Sequence, residues 1–250
     1  DRKEFVVYYQ PKFHLKQKKF VGSEALIRWN SPRRGLIPPA QFIKKAEDGG
    51  LIHEIDMYVF NQVLDDLKAQ KMRGERLLPV SINFSWYEFY GPNFIEDLVA
   101  AIDRAWLPRR LVEIEITETT SQANPFMATI VLKLLKDSGF KILLDDFGSG
   151  YSNLTQLNNL PIDVVKIDKS FIDGIQGSQK NKDIVQFLIA LCRDNGFEVI
   201  AEGVDGKEEV QILEKAKCDA IQGYYYSKPL PLKEYLRFLQ ENKFEKREGK

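Results

Sequence analysis

Phe5-Val6-Val7-Tyr8-Tyr9-Gln10-Pro11-Lys12-Phe13 reads as one strand, and Gly22-Ser23-Glu24-Ala25-Leu26-Ile27-Arg28-Trp29 reads as the next. The basic segment 14–19 joins them. A parallel crossover needs about a dozen residues or more, so this pair is expected to be an antiparallel hairpin. Six further β-rich runs follow, at 78–85, 111–117, 141–146, 164–168, 198–203 and 220–226. Between them lie stretches with apolar residues three and four apart, the mark of an amphipathic helix. At 125–138, Asn124 can cap the helix, Pro125 suits its first turn and Gly139 can end it. Further helices are expected over 183–195, 206–217 and 232–243.

Strands alternating with helices predict an α/β fold, a mainly parallel sheet closed into a barrel. With the hairpin included, the expectation is a modified (β/α)8 TIM-type barrel whose first strand is antiparallel. The 250 residues suit one such domain, with a core over about 4–241 and a charged tail over 242–250. The chain starts at Asp1 with a strand close behind, which reads as a domain excised from a longer protein.

Composition narrows the partners. Lys plus Arg equals Asp plus Glu at 36 each, so the net charge is zero and neither a nucleic-acid track nor a membrane surface is expected. No apolar run approaches the ~18 residues of a membrane span. Cys192 and Cys218 follow no metal-ligand spacing and read as core thiols of a reduced, cytoplasmic chain, or of the cytoplasmic part of a membrane-anchored protein.

Chemistry in such barrels gathers at the carboxyl ends of the strands. On the second strand, period two puts Glu24, Leu26 and Arg28 on the face opposite Ala25, Ile27 and Trp29. The apolar face suits the helices, so the charged face looks inward; the structural alternative is a buried Glu24–Arg28 pair. Asn83 ends the third strand, where it could equally be a turn-former. Glu113 and Glu115 face inward on the fourth, and Glu118 follows in a loop. Asp145 and Asp146 end the fifth beside Phe147-Gly148-Ser149-Gly150. An Asx-turn would explain one of those acids better than two. Val164, Lys166 and Asp168 point inward on the sixth strand, where the lysine requires a partner. Glu202 ends the seventh, and the eighth carries Gln222-Gly223. His14 and His53 stay outside this pattern.

Glu24, Asn83, Glu115, Asp145, Asp146 and Glu202 should therefore converge on one rim. Their mutual repulsion calls for cations, and an all-oxygen set with one Asn suits magnesium or manganese rather than zinc.

These residues resemble the EAL-domain cyclic di-GMP phosphodiesterases. The likeness runs from Tyr9-Gln10-Pro11 through Glu24-Ala25-Leu26-x-Arg28, Asp145-Asp146-Phe147-Gly148-Ser149-Gly150-Tyr151-Ser152, Lys166-Ile167-Asp168 and Ala201-Glu202-Gly203-Val204 to Gln222-Gly223-Tyr224 and Pro229. It implies hydrolysis of cyclic di-GMP to linear pGpG at a site for two Mg2+ or Mn2+ ions held by Glu24, Asn83, Glu115, Asp145, Asp146 and Glu202. Glu202, Lys166 and Asp146 are implied to orient or deprotonate the attacking water. Gln10, Leu26, Arg28, Asp168, Gln222 and Gly223 match substrate-binding positions. Glu118, Gly148, Ser149 and Gly150 match a loop coupling metal binding to dimer contacts, on the side of the strands at 141–146 and 164–168. The family also suggests a homodimer and an upstream sensor or diguanylate-cyclase-like (GGDEF) domain. Ser31, Asp205 and Ser149 depart from the residues usual in the family, without removing a proposed ligand. The competing expectations are a non-catalytic cyclic di-GMP receptor, a two-carboxylate glycosidase and an inactive scaffold.

Overall fold

Apolar residues on alternate strand positions close one sheet around itself. The computed structural model describes residues 4–85, 91, 93–117, 125–148, 157 and 160–242. Its strands are β1 (Phe5–His14), β2 (Lys19–Ser31), β3 (Gly35–Ile37), β4 (Val80–Asn83), β5 (Val112–Thr117), β6 (Lys141–Phe147), β7 (Val164–Ile167), β8 (Glu198–Ala201), β9 (Ala220–Ile221) and β10 (Leu230–Pro231). Its α-helices are α1 (Ile43–Asp48), α2 (Ile52–Met72), α3 (Phe94–Arg104), α4 (Pro125–Asp137), α5 (Lys169–Ile172), α6 (Gln179–Asp194), α7 (Lys207–Lys215) and α8 (Leu232–Glu241).

Going round the barrel, the order is β1-β2-β4-β5-β6-β7-β8-β9, and β9 pairs back with β1. β1 is antiparallel to both neighbours, and every other adjacent pair in the ring is parallel. The expected hairpin is present, with Gln10 opposite Glu24 and a register shift between Lys12 and Phe13. Strands β3 and β10 extend the sheet outside the ring through β2 and β1.

The outward strand positions make the main core. Ile82, Ile114, Ile116, Ile142, Leu144, Val165, Ile167 and Val199 are almost wholly buried. Inside the barrel, a smaller apolar cluster of Leu143, Val164, Ile200 and Ala220 fills the floor. This split is what period two predicts for a sheet covered on one face and closed on the other.

The helices expected from the sequence are present with shifted ends. α6 starts at Gln179 rather than 183 because Ser178 Oγ accepts the Asn181 N–H at 3.2 Å. Two long helices, α2 and α3, fall outside the stretches singled out from periodicity, as does β3. The eighth strand is shorter than expected: Ala220–Ile221 alone is extended, and the chain then turns. β7 likewise stops at Ile167, because Asp168 accepts the Ser170 N–H at 3.0 Å and starts α5.

Candidate active site

Every strand of the ring supplies one polar side chain near its rim end: Gln10 from β1, Glu24 from β2, Asn83 from β4, Glu115 from β5, Asp145 from β6 and Lys166 from β7. Glu202 and Gln222 follow directly on β8 and β9, their N–H groups donating to Ile167 and Ala201 carbonyls. The parallel strands run the same way, so these positions share one end of the barrel.

Lys166 is fully buried. Its Nζ lies 3.3 Å from Glu24 Oε2, 3.0 Å from Asp145 Oδ1 and 2.6 Å from Glu202 Oε1, and it also meets Glu115 Oε1. One ammonium thus serves four carboxylates from four strands. The inward lysine does have the ion pair that its burial demanded, with several acids at once. The alternative Glu24–Arg28 pair does not form: Glu24 turns to Lys166, while the Arg28 guanidinium lies 5.7 Å from the Tyr8 ring centroid.

The remaining contacts of Glu24 are closely specified. Asn83 Nδ2 donates to its Oε1 at 2.7 Å, and Gln222 Nε2 donates to its Oε2 at 2.6 Å. Burial pushes the Glu24 pKa upward, but Lys166, Lys12 and these amides together hold it below the usual carboxylate range. Asp145 goes the other way. Burial first, then Glu202, Glu24 and Asp146, raise it well above that range. Glu202 is raised too, by burial ahead of the opposing pull of Lys166.

Adjacent residues of a regular strand point to opposite faces, so Asp145 and Asp146 should not share a site. A register shift in β6 against β7 between Leu144 and Phe147 removes the conflict. Asp146 has φ +55° there, and its N–H donates to Asp145 Oδ1 at 2.9 Å. The left-handed residue brings both carboxylates toward Glu202. Two acidic trios result, Glu24–Glu115–Glu202 and Asp145–Asp146–Glu202, each able to offer oxygens within 4.8 Å of one another.

These residues fit divalent cations. The donor set is all oxygen, and the trios share Glu202. Both Glu115 oxygens are buried, Oε1 against the Lys166 ammonium and Oε2 3.9 Å from that of Lys12, and no amide or hydroxyl among the described residues bonds to either. Such a carboxylate set is costly with one central ammonium and suited to hard ions.

The family model for the EAL domain matches residues 1–229. The chain belongs to the EAL domain family. It is 37% identical to the signaling protein YkoW of Bacillus subtilis over 95% of its own length. It is 34% identical to the cyclic di-GMP phosphodiesterase NbdA of Pseudomonas aeruginosa over 96%. The chain spans 30% of the length of each of these two relatives. A solved structure, "PaMucR Phosphodiesterase, c-di-GMP complex", superposes with a TM-score of 0.88 at 31% identity, covering 94% of this chain and 95% of that one.

Within this EAL domain, the other expected positions are spread more widely. Gln10 and Gln222 are buried and bonded to each other, Gln222 Nε2 donating to Gln10 Oε1 at 3.1 Å. Leu26 and Arg28 are half-buried further along β2. Asp168 caps α5. Gly223 has a packing reason for being glycine: a Cβ there would lie 2.1 Å from the Val204 carbonyl oxygen. Gly148 (φ +96°) passes over the Phe171 ring, which a Cβ would meet at 2.4 Å. Glu118, Ser149 and Gly150 lie outside the described residues.

One buried charge beside the acidic rim escaped the sequence reading. Lys12 is 2% exposed, and its Nζ donates to Ser81 Oγ at 2.8 Å and lies 3.5 Å from Glu113 Oε2 and 3.9 Å from Glu115 Oε2. Counting by two from Gln10 along β1 would have placed it inside the barrel.

Proposed function

We propose that this EAL domain hydrolyses cyclic di-GMP to linear pGpG, with Mg2+ or Mn2+ at two sites. The observation that carries the reading is the pair of acidic trios sharing Glu202 around the Lys166 ammonium. The similarity to NbdA and to the cyclic di-GMP complex supports the substrate.

Glu24, Asn83, Glu115, Asp145, Asp146 and Glu202 would hold the cations. Bound there, the ions supply a more acidic water and offset negative charge on phosphoryl oxygens. Lys166 orients the water and donates to a phosphoryl oxygen as its charge grows. Glu202, the carboxylate common to both trios, takes the water's proton, with Asp146 beside it. The water oxygen bonds to phosphorus, the bond to the ribose 3′ oxygen breaks, and that oxygen leaves with a proton from solvent. Arg28 offers its planar fork to a phosphate, Leu26 an apolar surface, and Asp168, Gln222 and Gly223 line the remainder of the substrate site, with Gln10 behind Gln222.

The assay is incubation with cyclic di-GMP and Mg2+ or Mn2+, with and without chelator, followed by chromatographic separation of nucleotides. Metal-dependent pGpG is expected. Binding without cleavage would instead make the chain a receptor, and cleavage indifferent to chelator would remove the metals from the mechanism.

The functional unit in this reading is a homodimer. Phe126, Ile130 and Leu134 form an exposed apolar stripe along α4, four residues apart. Ile130→Glu is expected to sediment as a monomer where the parent sediments as a dimer; equal sedimentation would reject that interface. No helix among the described residues is long and apolar enough to cross a membrane. Cys192 and Cys218 are both free and buried, which supports a reducing, cytoplasmic setting. A sensor or GGDEF-like neighbour in the whole protein is supported by the similarity to the bifunctional diguanylate cyclase/cyclic di-GMP phosphodiesterase MucR. Activity of the domain in its full-length setting, compared with the chain alone, tests that dependence.

A further inference from the structure

We infer that Gln10 is a positioning residue, which acts through Gln222 and fixes the hydrogen-bond polarity of the site. The inference rests on the reading of the rim as a cyclic di-GMP site.

Four groups form a chain across the barrel: the Ser227 carbonyl, Gln10, Gln222 and Glu24. Gln10 Nε2 donates to the Ser227 carbonyl at 3.3 Å, and Gln10 Oε1 accepts from Gln222 Nε2 at 3.1 Å. The same Gln222 Nε2 donates to Glu24 Oε2 at 2.6 Å. Both ends of the chain accept only. A main-chain carbonyl has no proton to give, and both Glu24 oxygens face donors, Oε1 the Asn83 amide and Oε2 the Lys166 ammonium. Gln10 must therefore turn its NH2 to Ser227, which leaves its oxygen for Gln222. Gln222 must turn its NH2 to Gln10 and Glu24. Flipping either amide would set two acceptors against each other.

This fixed polarity has a consequence at Gln222 Oε1. Gln222 is 4% exposed, and its Oε1 is buried without a hydrogen-bond partner. A buried amide oxygen left without a donor costs about 1–3 kcal/mol. A ligand N–H or O–H would satisfy it, and a phosphate oxygen would not. Gln222 Oε1 thus selects a donor on the dinucleotide: a ribose 2′-hydroxyl or the guanine 2-amino group. Gln10 makes no such contact itself; both of its polar ends are engaged by protein.

Two measurements test the relay. In 15N-resolved NMR spectra, the Gln222 side-chain NH2 should exchange slowly with solvent in the parent and on the order of tenfold faster in Gln10→Leu. Unchanged exchange overturns the relay, whatever the substrate is. In steady-state hydrolysis, Gln10→Leu and Gln222→Leu should each lower kcat/KM about tenfold, and the double variant should fall no further. Multiplicative losses, about a hundredfold together, would make Gln10 an independent contact and overturn the inference. If Gln10→Leu does not fold, Gln10→Asn replaces it, one methylene too short to span Ser227 and Gln222. Parent hydrolysis of the 2′-O-methyl analogue reads the ribose donor, and that of the inosine analogue reads the guanine amine. The parent should discriminate against one of them about tenfold and Gln222→Leu should not; equal discrimination by both proteins overturns the acceptor role. A parent that does not cleave cyclic di-GMP at all rejects the proposed function, while the exchange measurement still decides the relay.

Discussion

The Lys166 ammonium lies 2.6 Å from Glu202 Oε1, at the one carboxylate shared by both acidic trios. Among the described residues, the one ammonium within reach of four rim carboxylates is therefore also placed at the point where the two cation sites would meet.

Lys166→Met should show both sides of that position. Without divalent cation, the fold should lose about 3–5 kcal/mol, because two buried carboxylates, Glu24 and Glu115, and two half-buried ones, Asp145 and Glu202, keep their repulsion and lose their shared counter-charge. Added Mg2+ or Mn2+ should recover more thermal stability in the variant than in the parent. Hydrolysis should fall by about 10²–10³-fold in kcat even with the ions present. Denaturation with and without cation, beside the nucleotide assay, reads both. Parent-like turnover would remove Lys166 from the chemistry.

Asp146 combines a carboxylate with a left-handed backbone, φ +55°. Asp146→Gly and Asp146→Ala both delete the carboxylate, and both should lose metal-supported hydrolysis. Only the alanine keeps a Cβ where the backbone disfavours one, so Asp146→Ala should be the less stable by about 1 kcal/mol. Urea denaturation of the pair isolates the backbone contribution. Equal stability would mean that the bulge does not persist in the variants.

Stability should depend on pH through the same acids. Asp145 and Glu202 have raised pKa values when folded and free of metal. The folded state then binds more protons than the unfolded one, so the metal-free fold loses stability as pH rises from the unfolded value near ~4 through the raised values. Cations take the place of those protons. The gain in Tm on adding Mn2+ should therefore be larger at about pH 8 than at about pH 5. Glu24, held low, has the opposite sign: its contribution is present above its unfolded pKa and is lost as pH falls through its folded one. A Tm gain independent of pH would contradict the shifts at Asp145 and Glu202.

The two thiols should be inert while the chain is folded. Burial raises Cys192 to about 11 and Cys218 to about 12, and both side chains are buried. At about pH 8 neither has appreciable thiolate. Mass spectrometry should find no alkylation by iodoacetamide in the native protein and two modified cysteines after denaturation. Rapid native labelling would show local opening around α6 or the segment before β9.

Much of this protein follows from local chemistry. The short 14–19 link forces the antiparallel hairpin, and strand alternation separates Ile114 and Ile116 from Glu113 and Glu115. The same alternation predicts which acids look into the barrel, because side-chain direction along an extended chain is a local property. Closure then brings distant rim residues together without further instruction from sequence.

Other features depend on groups that meet only after closure. Nothing local places Asp146 beside Asp145 on one face; the register shift against β7 and the left-handed φ do that. Asp168 reads as the next inward strand residue, yet the start of α5 takes its carboxylate for a cap. Strand alternation alone puts Lys12 on the inward face of β1, but only closure brings Ser81, Glu113 and Glu115 from β4 and β5 to surround it. The sequence by itself determined the barrel and the acidic rim, through periodicity and the lengths of the links. The tertiary structure alone decided which carboxylates come close enough to share an ion, where Lys166 sits among them and which way Gln10 and Gln222 point, since those choices belong to pairs of atoms that close approach across the barrel brings together.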